Sequence, residues 1–260
     1  MNLKLLNKTD DMMNFILENS NPAFANALRR TMVHEVAVMS IEAADVEENS
    51  SGLFDEMLVH RLGLIPLTFD PSLYSVKEDC SCDQKGCSKC EVVLVLEKQG
   101  PCVVKAGDFK STAPDVKATD AEIPIVELLE GQRLKVEAIA QLGYGRQHAK
   151  WQAAIAGYKY LPKVKITSDE DIEESLRLCP ANVFEKKDGK VVVAREENCI
   201  LCMKCTEVSP GVKVSAKDDA FVFTVETVSG LTPEQILEHS LDSLEKRSNE
   251  FIKELNRVVK

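Results

Sequence analysis

The sequence lacks the features of a membrane or secreted protein. No uninterrupted apolar run approaches the roughly 20 residues that a membrane-spanning helix needs. Residues 1–20 contain neither a basic segment ahead of a long apolar stretch nor a small-residue cleavage site, so we expect no signal peptide and a cytoplasmic location. Basic residues are not in excess either. The net charge of −10 repels phosphate backbones and argues against a protein that binds nucleic acid alone.

Motifs of the common enzyme classes are also missing. We find no phosphate-binding P-loop, no G-x-S-x-G nucleophile motif, no zincin motif and no carboxylate cluster of a two-metal nucleotidyl-transfer site. The chain is therefore not expected to catalyse a reaction by itself. With 44% apolar and 28% charged residues over 260 positions, it has the composition of a soluble globular protein of one to three domains.

Cysteine, in contrast, is abundant. In a chain without a secretory signal, nine cysteines indicate metal ligands or catalytic thiols rather than a disulfide framework. Cys102 stands alone in an apolar, strand-like run and is expected to be a small buried side chain. The other eight form two sets: Cys80, Cys82, Cys87 and Cys90, then Cys179, Cys199, Cys202 and Cys205.

The second set follows the ferredoxin spacing. Cys199, Cys202 and Cys205 are separated by two residues each, and Ser209-Pro210 stands where ferredoxins carry Cys-Pro. In two-cluster ferredoxins that last cysteine ligates the other cluster, so its loss need not harm the cluster held by the first three. The fourth ligand of this cluster must then come from elsewhere in the chain.

A decayed internal repeat supplies that ligand. Sliding the motif by 30 residues aligns Cys179-Pro180 with Ser209-Pro210, whereas Asp169, Ile172 and Ser175 fall where the second copy has cysteine. The positions for one cluster have thus all lost cysteine, and those for the other have all kept it. We predict one [4Fe-4S] cluster, with zinc in the same four thiolates as the alternative. The predicted ligands are Cys179, Cys199, Cys202 and Cys205.

The first set places four thiols within eleven residues, in CSCDQKGCSKC. Gly86 can supply the positive φ that a tight turn demands. This pattern indicates a structural zinc site, which would staple a loop and perform no chemistry. A second iron-sulfur cluster and simple disulfides are the alternatives. The predicted zinc ligands are Cys80, Cys82, Cys87 and Cys90.

The remaining patterns indicate helices at both ends and a sheet-rich middle. Asn21-Pro22 predicts a helix start, and residues 232–235 (TPEQ) predict a capping box for a helix that runs to the C-terminus. Four strands are predicted in 91–166 and one at 220–228. The last helix carries an apolar stripe that is either an intersubunit interface or an ordinary core-facing side. Its members are Leu237, Leu241, Leu244, Phe251, Leu255 and Val258.

Four separated motifs resemble the D subunit of archaeal RNA polymerase, which is related to bacterial alpha and to the eukaryotic third-largest subunits. The similarity covers nearly the whole chain, and 167–218 resembles the ferredoxin-like insert of some members. The motifs are NPAFANALRRTM at 21–32, LVHRLGLIPL at 58–67, GYGRQHAKWQ at 143–152 and FVFTVETVSGL at 221–231.

The resemblance implies an α+β fold with a discontinuous dimerisation domain of sheet and long helices. This domain would comprise 1–42 and 219–260. A sheet-rich middle domain at 43–166, with the cysteine-rich loop, and a ferredoxin-like 4Fe-4S domain at 167–218 would be inserted into it. That loop lies where eukaryotic relatives hold zinc, although the gap of four residues between its middle cysteines is longer here.

The resemblance also implies partners. The dimerisation domain would pair with the small L subunit, and subunits N and P would join before the two large catalytic subunits dock. The helix with Asn26, Arg29 and Arg30 is similar to the one that faces the second-largest subunit. DNA would be reached only through the complex. Arg146, His148 and Lys150 look like a basic patch, but beside Trp151 a structural or protein-protein role is favoured.

Two alternatives to the assembly role stay open at this point. A ferredoxin-type electron carrier or oxidoreductase subunit would usually keep a second cluster or a flavin motif, and neither is visible. A regulator whose assembly responds to oxygen through cluster loss is compatible with a single cluster.

Overall fold

The computed structural model of the protein describes residues 1–259. They form the expected α+β fold, which is rich in strands and has few helices. The strands are β1 (Asn2–Lys8), β2 (Met12–Glu18), β3 (Ala37–Asn49), β4 (Leu67–Thr68), β5 (Val92–Gln99), β6 (Cys102–Lys105), β7 (Lys110–Ser111), β8 (Lys117–Ala118), β9 (Pro124–Leu128), β10 (Arg133–Tyr144), β11 (Ala154–Ile166), β12 (Phe184–Lys187), β13 (Lys190–Val193) and β14 (Val212–Thr227). The helices are α1 (Pro22–His34), α2 (Asp55–Gly63), α3 (Ile172–Leu178), α4 (Lys204–Val208) and α5 (Pro233–Val258).

The predicted helix starts are confirmed. Asn21 Oδ1 accepts from the Phe24 amide at 2.9 Å, which satisfies one free N–H at the start of α1. At the start of α5, Thr232 and Gln235 form the reciprocal capping box that the sequence indicates. No helix within residues 1–259 is both long and apolar enough to cross a membrane.

By its internal contacts the chain divides into two compact units. The first comprises 1–29 with 156–225, and the second comprises 30–155 together with the chain from Glu226 onwards. The predicted dimerisation, middle and ferredoxin-like domains have other boundaries, and that division stays a prediction.

The first unit contains a four-stranded sheet of order β1-β2-β14-β11. Phe15 and Phe223 stack in its core with their ring centroids 5.0 Å apart. Within the same unit, residues 164–214 have an apolar core of their own, built from α3, the β12-β13 hairpin and the start of β14. That small core includes Cys199. The segment with the ferredoxin spacing therefore folds around its cysteines.

The second unit is built on a sheet of order β3-β10-β5-β7. Strand β10 lies at its centre and pairs antiparallel with both β3 and β5. Alternate residues of β10, among them Leu134, Val136 and Ala138, are buried, as expected for strands with one face on the core. Two short ribbons, β4-β8 and β6-β9, complete the unit with α2 and α5. The strands predicted within 91–166 and at 220–228 are confirmed.

Candidate metal centres

The four cysteines of the first set converge on one point. The Sγ–Sγ distances are 3.6 Å for Cys80 and Cys87, 3.7 Å for Cys82 and Cys90, and 3.8 Å for Cys87 and Cys90. Zinc bonded to four thiolates at about 2.3 Å with tetrahedral angles places its sulfurs about 3.8 Å apart. A disulfide would need about 2.05 Å. The arrangement, called the knuckle below, therefore fits one tetrahedral ion, and all four cysteines are free.

Backbone turns bring these sulfurs together. Asp83, Gln84 and Gly86 all have positive φ, of 53°, 63° and 86°. This left-handed run folds the chain back within five residues, and only glycine adopts it without cost. The Cys87 amide donates to Cys90 Sγ at 3.3 Å, so the turn also provides a hydrogen bond that favours a thiolate.

The knuckle thiols differ in acidity. Burial disfavours the Cys82 thiolate, but hydrogen bonds from Cys80, Cys90 and the Gly86 backbone outweigh it and lower the pKa of Cys82 to about 7. Burial raises the pKa of Cys90 to about 12. For Cys80, a backbone hydrogen bond from Cys82 lowers the pKa, yet burial and neighbouring thiols leave it raised. Because metals bind thiolates, an ion must displace protons from Cys80 and Cys90.

Glu91 fastens the knuckle to the central sheet. Its Oε1 accepts from Lys77 Nζ at 2.6 Å and from Gln141 Nε2 at 3.0 Å. Lys77 precedes the first ligand and Gln141 lies in β10. The loop is therefore held from outside as well as by its own turn.

The second set is arranged differently. Cys179, Cys199, Cys202 and Cys205 line one apolar cavity in the first unit, together with Val183 and Phe184 among others. Within residues 1–259, only the knuckle brings the ligand atoms of three or more His, Cys, Asp or Glu within 4.8 Å of one another. The four sulfurs of the second set are thus spread too widely for one zinc ion.

The chemistry of this cavity suits a polynuclear iron-sulfur cluster, which has a separate iron for each thiolate. Burial raises the pKa of Cys205, as do the charges of Cys199, Cys179 and Cys202, so the four thiols lie close enough to influence one another. The Leu201 amide donates to Cys199 Sγ at 3.5 Å, a contact that stabilises a thiolate. The residues fit the predicted group, whose presence stays a prediction.

The vacated half of the repeat is filled. Ile172, Ser175 and Ser209, at positions without cysteine, are buried. Ser175 Oγ donates to the Cys205 carbonyl at 3.1 Å and Ser209 Oγ donates to the Glu170 carbonyl at 2.6 Å. The hydroxyls thus occupy the space with satisfied hydrogen bonds, which fits a site for one cluster rather than two.

The repeat is also visible in the backbone. Asp171 and Leu201, which are 30 residues apart, both have positive φ, of 52° and 57°. Short helices follow both positions, α3 after Asp171 and α4 after Leu201. The sequence alignment by 30 residues therefore corresponds to a repeated local structure.

Strand β11 holds the loop that carries Cys199. The Val164 amide donates to Glu196 Oε1 at 2.6 Å, and Lys159 Nζ donates to the Cys199 carbonyl at 2.9 Å. Burial lowers the pKa of Lys159, while the negative charges of Cys199 and Glu197 oppose that effect. Sequence analysis missed Lys159 and Glu196, since neither belongs to a spacing motif.

The candidate basic patch is engaged within the chain. Arg146 pairs with Glu35 at 2.6 Å. Lys150 contacts Glu42 and donates to the Ile41 carbonyl at 3.1 Å. These contacts support the structural interpretation of the 143–152 motif.

Cys102 differs from the expectation. It is half-buried rather than buried, and its Sγ lies 3.5 Å from the Gln99 carbonyl oxygen. The reason is its position in β6, which pairs with β9 in a two-stranded ribbon that covers only part of its side chains.

Comparison with known proteins identifies the family. Residues 31–162 match the family described as the RNA polymerase Rpb3/RpoA insert domain. The chain is 38% identical to DNA-directed RNA polymerase subunit Rpo3 of Thermococcus kodakarensis, with 98% of each chain covered. It is 36% identical to the Rpo3 subunit of Archaeoglobus fulgidus, again with 98% of each chain covered. The chain belongs to the Rpo3 family of RNA polymerase subunits.

Rpo3 is another name for the archaeal D subunit, so the resemblance found in the sequence is confirmed at the level of the family. A relative from Methanosphaera stadtmanae is 35% identical over 98% of this chain and 99% of its own length. As a member of the Rpo3 family, the chain is a subunit of DNA-directed RNA polymerase with other polymerase subunits as partners. The electron-carrier alternative therefore does not stand.

Proposed function

We propose that this Rpo3 chain is a non-catalytic assembly platform of an archaeal RNA polymerase. It pairs with a small L-type subunit through α5. The heterodimer, joined by subunits of the N and P type, then docks the two large catalytic subunits, and DNA is reached only through the whole complex.

The unpartnered apolar face of α5 carries this proposal. Phe251, Leu255 and Val258 are 70%, 49% and 83% exposed. The start of the same helix is buried at Pro233, and Ile236 is fully buried. A capped helix of 26 residues whose far half leaves its apolar stripe in solvent is typical of an interface that a partner covers.

Helix α1 supports a second contact. The Asn26 amide oxygen accepts two hydrogen bonds from the Arg29 guanidinium, at 3.3 and 3.1 Å, which holds that arginine along the helix. Arg30 is exposed. We propose that this helix faces the second-largest subunit.

The metal centres act as staples in this proposal. Cys179, Cys199, Cys202 and Cys205 would hold one [4Fe-4S] cluster that closes the 167–218 segment. The knuckle would hold one zinc ion. A zinc ion bound by four cysteines has no open position, so it supplies folding energy rather than chemistry.

The interface is tested by co-expression with an L-type subunit, followed by size-exclusion chromatography. Phe251→Ser with Leu255→Ser removes two exposed apolar side chains and is expected to abolish the heterodimer. The matched control is Lys253→Ser with Arg257→Ser, which removes two large exposed side chains about half a turn away. The control should still form the heterodimer. Wild type that forms no heterodimer, or equal loss in both double variants, would refute the proposed interface.

The metals are tested on the same heterodimer purified without oxygen. We expect iron with the broad visible absorption of a cubane in wild type, its loss in Cys202→Ser, and one zinc in both. Wild type without iron contradicts the cluster assignment. If Cys202→Ser still pairs with the L-type subunit, the cluster is dispensable for that step, and docking of the large subunits is assayed next. If pairing is lost on exposure to air as well, assembly responds to oxygen through the cluster.

A further inference from the structure

We propose that Lys159 sets the reduction potential of the [4Fe-4S] cluster and retains its Cys199 ligand, by placing one positive charge beside the thiolates. This inference rests on the proposed cluster. It adds a residue outside the cysteine motif to that site, contributed by β11 rather than by the ligand loops.

The position of Lys159 is defined by a direct contact. Its Nζ donates to the Cys199 carbonyl at 2.9 Å, and the side chain is half-buried. A second bond from β11, from the Val164 amide to Glu196 Oε1, holds the residues just before Cys199. The ammonium group is thus fixed at the ligand loop and does not move freely in solvent.

The charge of Lys159 is not cancelled by a direct ion pair. Within residues 1–259, no carboxylate lies within ion-pair distance of it, although the charge of Glu197 is felt from further away. Lys204 is the other lysine at this site and lines the cavity itself. It pairs with Glu207 at 2.7 Å, and its side chain is 60% exposed. Of the two cations, Lys159 is therefore the less screened.

Electrostatics gives the expected direction. A [4Fe-4S] cluster with four thiolates is negative, and taking up one electron makes it more negative. A fixed positive charge stabilises the reduced form more than the oxidised form, which raises the reduction potential. Net charge and hydrogen bonding near the sulfurs are known determinants of cluster potentials. Removing the Lys159 charge should make the cluster harder to reduce.

The test is an anaerobic titration of the heterodimer with dithionite and redox dyes, with the reduced cluster followed by electron paramagnetic resonance. Lys159→Met keeps the aliphatic stem and removes the charge. At the wild-type midpoint, we expect its reduced-to-oxidised ratio to fall about tenfold, which is a shift of about 59 mV for one electron. Lys159→Arg should stay within about twofold of wild type, as expected if charge rather than shape decides. Lys204→Met, the matched control, should shift less than Lys159→Met.

Retention of the cluster provides a second measurement. Loss of visible absorption in the presence of an iron chelator should be faster in Lys159→Met than in wild type and should return towards the wild-type rate in Lys159→Arg. If Lys159→Met purifies without a cluster, Lys159→Arg decides: a loaded arginine variant supports the proposal and an unloaded one overturns it.

An unchanged potential in Lys159→Met, or a larger shift in Lys204→Met, overturns this inference and leaves the proposed cluster in place. Wild type without iron refutes the cluster itself. The two failures are therefore distinguishable.

Discussion

The two four-cysteine regions of this chain differ in how far apart they hold their sulfurs. In the knuckle, the separations of 3.6 to 3.8 Å match a single tetrahedral ion. In the ferredoxin-like segment, four cysteines surround a cavity and do not converge in this way. The number of thiols is the same, so sulfur spacing, not ligand count, distinguishes an ion site from a cluster site.

The two regions also differ in what positions their ligands. The knuckle is local, with all four ligands inside eleven residues and a left-handed turn between them. The other site needs Cys179, which precedes Cys199 by twenty residues, and a small apolar core between them. Losing metal should therefore loosen a loop in the first case and unfold a segment in the second.

The largest expected effect is that of Cys199→Ser. Cys199 is both a proposed ligand and a member of the apolar core of residues 164–214. We expect loss of iron and loss of amide protection throughout 167–214, measured by hydrogen exchange with mass spectrometry, whereas the second unit keeps its protection.

Cys102→Ser is the control for this variant, since Cys102 lies in neither set. It should keep full iron and zinc content. If Cys199→Ser retains the protection of 167–214, the cluster does not staple that segment, and the contrast between a stapled loop and a stapled segment fails.

A smaller effect is expected for Cys90→Ser. The variant should lose one zinc ion, measured by elemental analysis, and amide protection around 77–91, because a buried ligand of the knuckle is removed. Its iron content should equal that of wild type. Iron in the wild-type knuckle, or a fall in iron in this variant, would show that the two sites do not differ as their spacing indicates.

Much of this contrast is predictable from the sequence. The helix starts at Pro22 and Pro233 follow from local capping residues, and the predicted strands follow from alternation, because both depend on near neighbours in the chain. Both cysteine sets were found by spacing alone. The structure adds that Ser175 and Ser209 fill the vacated half of the repeat.

Other features depend on contacts that are distant in sequence. The Lys159 contact joins residues 40 apart, and the contacts of Glu91 span 14 and 50 residues. No periodicity marks such positions. The partial burial of Cys102 was also missed, because its ribbon has too few strands to cover it, and strand count is a tertiary property.

The pH dependence of zinc binding sharpens the description of the knuckle. Cys80 and Cys90 have raised pKa values, that of Cys90 being about 12, so both are protonated below pH 8 and must release protons when zinc binds. Affinity should therefore fall by at least about a hundredfold per pH unit as the pH decreases. Below about pH 7 the fall should steepen, since Cys82, whose pKa is about 7, becomes protonated too. Competition with a chromophoric chelator between pH 8 and 6 measures this slope, and a flat profile would contradict four-thiolate binding.

The smallest expected effect is that of Gly86→Ala, which tests whether the turn positions the knuckle. Gly86 has φ of +86°, and an added Cβ would lie 2.1 Å from Glu91 Oε2. Glu91 cannot move aside freely because Lys77 and Gln141 hold it. Gly131→Ala is the matched control, since Gly131 has φ of +80° with nothing within 4 Å of the added carbon. The control should cost about 1 kcal/mol of backbone strain and leave zinc affinity unchanged. Gly86→Ala should cost about 1 kcal/mol more in denaturant unfolding and weaken zinc binding about fivefold or more, because the clash displaces the ligand turn or breaks the Glu91 contacts. Equal effects of the two substitutions would mean that the sulfurs, once they bind the ion, position the turn rather than the reverse.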